Sequence, residues 1–108
     1  MSSPELKGYR DEEGSHVVGN GFCDAFERSL KLRNHSPTGP EWGYPGSGPS
    51  QLALAMLLWA GVEEETALRA YHYFKDEVVG KFHREVSADN NCWVMNKQAI
   101  LSWLEKAD

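Results

Sequence analysis

The stretch from His35 to Ala55, HSPTGPEWGYPGSGPSQLALA, restricts the possible folds more than any other, because glycines and prolines crowd around two aromatics and run straight into an apolar segment. Proline presets φ, and glycine admits conformations and close approaches that other residues refuse, so Gly39-Pro40, Tyr44-Pro45-Gly46 and Gly48-Pro49 read as turns. The residues that follow, Gln51 to Trp59, are almost wholly apolar and rich in strong helix formers. Pro49 suits the first helical position, Ser47 or Gly48 the cap, and Gly61 the stop. Apolar positions lie all round this helix, which places it at the centre of the fold with Leu52, Ala55, Met56 and Trp59 in the core. The chain thus holds a structured loop that feeds a buried helix, and the loop is there either to pack or to bind.

Around that centre the pattern is mixed. Lys7 to Asp11 and His16 to Gly19 read as two strands joined across Glu12-Glu13-Gly14-Ser15. Phe22, Phe26 and Leu30, at i, i+4 and i+8, suit a short helical segment. Glu63-Glu64-Glu65 puts negative charge in the first turn of a further helix, where the macrodipole favours it. That helix is expected to reach about Phe82, with Ala67, Leu68, Tyr71, Phe74, Val78 and Phe82 as its apolar stripe. Asp89-Asn90-Asn91 reads as a turn, Cys92 to Met95 as a strand, and Asn96 as the N-cap of a last helix carrying Ile100, Leu101, Trp103 and Leu104. The expected fold is α+β, a small antiparallel sheet beside a helical core of about three helices. Residues 1–6 are expected to be a disordered N-terminus and residues 7–108 a single domain.

Composition narrows the function. At 108 residues, 41% hydrophobic and 25% charged, the chain is an ordinary single globular domain. The apolar run from Leu52 to Gly61 is far short of the roughly 20 residues a bilayer needs, and no secretory signal opens the sequence, so a cytoplasmic location is expected. A net charge of −5, with acidic runs at Asp11-Glu12-Glu13 and Glu63-Glu64-Glu65, argues against direct nucleic-acid binding, which calls for a basic face. Cys23 and Cys92 form neither a disulfide framework nor a CxxC metal site and read as small core residues.

Catalytic equipment is thin. A nucleophile needs a base, itself oriented by a third group, and His35, Ser36, Glu41 and Ser47 show no such spacing, so no catalytic residue is assigned. His72, Asp76 and His83 return to one helical face, but that face is the polar one and reads as surface; no metal or other cofactor is assigned. His16 has no evident partner. The loop leading into the helix start offers a possible anion site at His35, Ser47, Gly48 and Ser50, although the lysine of a phosphate loop is missing and Pro49 removes a donor. Trp59 and Trp103 read as core, whereas Trp42 and Tyr44 either plug the loop onto the core or display an aromatic surface to a partner.

The string HSPTG-x-EWGYPGSGP-x-QLALA, followed by Ala-Leu-Arg-Ala-Tyr, Phe-Lys-Asp-Glu-Val-Val and a closing Ile-Leu-Ser-Trp-Leu, resembles a family of small uncharacterised domains of bacteria, phages and other mobile elements. The similarity covers about Gly8 to Leu104 and carries no enzymatic activity with it. It implies kinship with anti-CRISPR proteins, which the chain resembles in size, solubility and lack of catalytic equipment. The expected function is therefore a non-catalytic anti-defence inhibitor of a Cas9-type effector nuclease, with Trp42, Tyr44, Glu41, Glu63, Glu64 and Glu65 as the contact surface. The competing expectation is a small-ligand or anion-binding protein, or an enzyme, that uses the 35–50 loop.

Overall fold

In the computed structural model, which describes residues 4–35, 39–44, 46–82 and 92–107, the apolar run forms a helix whose residues from Gly48 to Leu58 are all buried. This helix, Ser47–Trp59, is preceded by β1 (Glu5–Asp11), β2 (Gly14–Val18) and α1 (Phe22–Leu32), and is α2 in chain order. It is followed by α3 (Glu64–Glu77), a 3₁₀ turn (Val79–Lys81), β3 (Trp93–Asn96) and α4 (Lys97–Ala107). The fold is α+β, with α2 packed between α1 and α3 and a three-stranded antiparallel sheet in the order β2-β1-β3. Among the described residues no helix is long and apolar enough to cross a membrane.

α2 stops where the sequence says it should. Gly61, at φ +92°, lets its own N–H reach Leu58 O at 3.0 Å and the N–H of Val62 reach Leu57 O at 3.1 Å, which closes the helix with a left-handed residue. Its start differs from expectation. Gly46 occupies the cap position without a side-chain hydrogen bond, Ser47 is already helical, and Pro49 falls in the third helical position, where a missing N–H is still harmless.

β1 begins at Glu5, inside the stretch expected to be disordered. Leu6 is wholly buried, and the carbonyl of Pro4 accepts from the N–H of Lys97, so this end is held by both the core and α4. Lys7 faces Val18 on one side and Val94 on the other, which fixes the register of all three strands. Gly8 leaves room for Trp93: any Cβ there would collide with the indole.

Three further expectations need correction. α3 ends at Glu77 rather than near Phe82, because the β-branched pair Val78-Val79 and Gly80 weaken the helix and Val79 is buried separately under the loop, its carbonyl accepting from Gly43 N at 3.0 Å. Cys23 and Cys92 are both exposed: Cys23 follows the buried Phe22 on the outer side of α1, and Cys92 precedes β3. In α1 the buried positions are Phe22, Ala25 and Ser29, so Phe26 and Leu30 sit only half-covered at the margin of the stripe. Asn96 does cap α4, its Oδ1 accepting from Ala99 N at 2.7 Å, while the Asp89-Asn90-Asn91 turn lies outside the described residues.

Candidate functional site

The loop is tied to the hairpin through Arg10 and Ser15. Arg10, on β1, donates from Nη1 to Glu41 Oε1 at 2.8 Å and to Ser15 Oγ at 2.7 Å, and from Nη2 to the carbonyl of Trp42 at 3.3 Å. Ser15 Oγ also donates to Glu41 Oε2 at 2.8 Å, so both carboxylate oxygens are engaged. The guanidinium lies 4.5 Å from the centre of the Trp42 ring, and that ring meets Trp93 edge-on at 5.6 Å. Trp93 in turn stacks on Phe82 at 4.6 Å. Trp42 is thus a plug, 0% exposed, and cannot meet a partner in this conformation; its expected place in a contact surface is corrected.

Tyr44 and Glu41 close over the start of α2. A Cβ on Gly46 would lie 2.6 Å from Tyr44 Cε2, and one on Gly48 would lie 2.6 Å from Glu41 Cβ and 3.0 Å from the Tyr44 hydroxyl. Gly46 is in extended backbone at φ −174°, so glycine is needed here for space rather than for a left-handed turn. Ser50 is buried and donates to Gly46 O at 2.9 Å, whereas Ser47 is exposed. Two of the four residues expected to hold an anion, Gly48 and Ser50, are therefore taken up in shaping the helix start, and His35 is held elsewhere.

His35 heads a polar chain that threads the core. Its backbone N–H donates to Gln51 Oε1 at 2.6 Å, Gln51 Nε2 donates to Ser29 Oγ at 2.8 Å, and Ser29 Oγ donates to the carbonyl of Phe26 at 2.6 Å. Gln51 and Ser29 are both 0% exposed, and this chain supplies the partners that buried polar groups require. At the outer end, His35 Nε2 and the Tyr71 hydroxyl are 2.8 Å apart, and His72 packs on Tyr71 with ring centres 4.1 Å apart. Burial holds the His35 imidazole below its usual pKa, helped by the positive fields of His72, Arg33 and Lys75, while burial pushes the Tyr71 phenol up. A neutral imidazole beside a protonated phenol makes a stable hydrogen bond and a weak anion receptor.

The sequence matches the family of unknown function DUF6166 over residues 6–106. The chain belongs to this family. No curated protein and no solved structure matches it.

In this DUF6166 domain the remaining candidates stand apart from the loop. Glu63, Glu64 and Glu65 are all exposed at the start of α3, with Glu64 Oε2 3.6 Å from Arg28 Nη2. His72 is exposed, Asp76 pairs with Lys75 at 3.2 Å, and His83 lies outside the described residues. His16 has a partner after all: its Nε2 is 2.8 Å from Asp11 Oδ1, and its ring stacks on Tyr9. That hydrogen bond and one from the N–H of Glu13 hold the Asp11 carboxyl below its ordinary pKa. Trp59 and Trp103 are only half-buried, each with an indole N–H turned outward, to Asn20 O at 2.8 Å and to Glu77 Oε2 at 3.2 Å. The sequence reading missed Arg10, Ser15, Ser29, Gln51 and Tyr71 as polar organisers. Gln51 did carry a signal, being a lone amide at the head of an apolar helix, where burial obliges it to find partners.

Proposed function

We propose that this DUF6166 domain is a non-catalytic binding protein of phages and other mobile elements, which acts in the host cytoplasm by binding and inhibiting a CRISPR effector nuclease of the Cas9 type. The observation that carries this reading is a division of labour among polar groups. Glu41, Ser50 and His35 are bonded to their own chain, while Glu63, Glu64 and Glu65 all face solvent. Asp11, Glu12 and Glu13 form a second exposed acidic run at the hairpin tip. Acidic surface of this kind suits a protein partner with a basic channel, where charge complementarity speeds encounter and selects the partner. The same charge opposes direct contact with nucleic acid.

The test is a titration of nuclease activity. With a guide-loaded Cas9-type nuclease held well above the dissociation constant, cleavage should fall linearly to a fixed molar ratio and show no dependence on time of preincubation. Reversing Glu63, Glu64 and Glu65 to Lys should slow association and alter its salt dependence. No slowing of any nuclease across a representative panel, or a progressive loss of activity at catalytic amounts of the domain, would contradict the proposal.

A further inference from the structure

α3 has a second face. Thr66, Arg69, Ala70, Tyr73 and Glu77 step by three and four along the flank beside the buried stripe of Ala67, Tyr71 and Phe74. With Trp103 and Leu104 of α4 they line a groove of about 270 Å³. That volume is below the roughly 300–1,000 Å³ usual for small-molecule sites, and gives room for one large side chain rather than a cofactor.

The walls are unevenly satisfied. Trp103 is fixed, since its ring meets Phe74 edge-on at 4.9 Å and its N–H reaches Glu77 at 3.2 Å, which also engages the carboxylate at that end. Tyr73 is 66% exposed, the most exposed of the large apolar side chains among the described residues. Arg69 has no carboxylate within ion-pair distance among the described residues and reaches only Thr66 Oγ1, at 3.5 Å. Glu65, one turn earlier, does not line the groove. Arg69 is exposed and hydrated in the free protein, so its charge is available to a carboxylate brought to that wall, while Glu77 keeps the opposite charge at the other end of the groove. Trp, Tyr and Arg are also the residue types that dominate binding hot spots.

We propose that the α3–α4 groove docks a segment of a partner protein that seats one large apolar side chain between Tyr73 and Leu104 and brings a carboxylate to Arg69. From the proposed function this takes only that the partner is a protein, not which protein it is.

The probe is the blocked dipeptide acetyl-Phe-Glu-amide, compared with its uncharged counterpart acetyl-Phe-Gln-amide, each titrated into the ¹⁵N-labelled protein. The Trp103 indole resonance and the Arg69 and Tyr73 amides should shift. The Glu peptide should bind about twofold to fivefold more tightly, the range of an exposed ion pair, and Arg69→Gln should abolish that preference while leaving the spectrum folded. Shifts elsewhere, no shifts at millimolar peptide, or equal affinity for the two peptides would overturn the groove. In the nuclease titration, undiminished inhibition by both Arg69→Gln and Tyr73→Ala would overturn it too, while leaving the inhibitor reading intact. A nuclease panel insensitive to the wild-type protein would contradict the inhibitor reading, and the peptide titration would still decide the groove.

Discussion

α2 and α3 are adjacent helices of 13 and 14 residues joined by a tight turn, yet they have opposite relations to solvent. α2 is buried on every side from Gly48 to Leu58, whereas α3 buries Ala67, Tyr71 and Phe74, half-buries Leu68 and Ala70 against the core, and exposes Arg69, His72, Tyr73 and Asp76. A helix covered all round has no face left for a partner; it organises the fold. A helix with one buried stripe can hold a second, exposed set of side chains in fixed relative positions. The Gly/Pro loop belongs with α2, because its aromatic and charged groups serve to cover that helix. Of these two helices, α3 is therefore the one with a face left to meet a partner.

The largest expected effects lie on α2. Leu52→Ala or Met56→Ala should each destabilise the domain by roughly 2–5 kcal/mol, through lost burial and a residual cavity, measured by urea unfolding. A loss below about 1 kcal/mol at both sites would break the comparison, since surface positions behave in that way. A smaller effect is expected at the loop–helix junction. Gly48→Val brings a Cβ 2.6 Å from Glu41 Cβ, so the loop must shift, at a cost of about 1–3 kcal/mol. An unchanged midpoint would mean that the loop yields freely and does not cover the helix as described.

The smallest effect is a pH dependence. The His35 pKa is lowered in the folded state, so the unfolded chain binds more protons in the window just below pH 6.5. Stability linked to this group should be complete above its unfolded pKa and decline as pH falls through the folded value. Wild-type protein should lose more stability between pH 7.5 and pH 5 than His35→Gln does over the same interval. Equal losses would show that His35 titrates in the fold as it does in the unfolded chain.

Much of the architecture was legible in residue order. The centrality of α2, its stop at Gly61, the hairpin and the Asn96 cap all follow from local rules that act over a few residues. The site was less legible. The bonds from Arg10 to Glu41, from Gln51 to Ser29 and between His35 and Tyr71 span 31, 22 and 36 residues, and no periodicity encodes such pairings. The burial of Trp42 was one of two readings of the loop, and the choice rested on Arg10 and Trp93, which approach it from two different strands. The exposure of Cys23 and Cys92 was misread because a residue-type preference for burial cannot say which side of an element a residue takes.

The contrast between a loop that holds the fold and a helix face that is free to bind is tested most directly by urea unfolding of Trp42→Ala and Tyr73→Ala, measured side by side. Trp42→Ala should cost about 3–5 kcal/mol, as for a large aromatic removed from a core, and Tyr73→Ala should stay within about 0.5 kcal/mol of wild type. Near-equal stabilities for the two variants, or a larger loss at Tyr73, would contradict it.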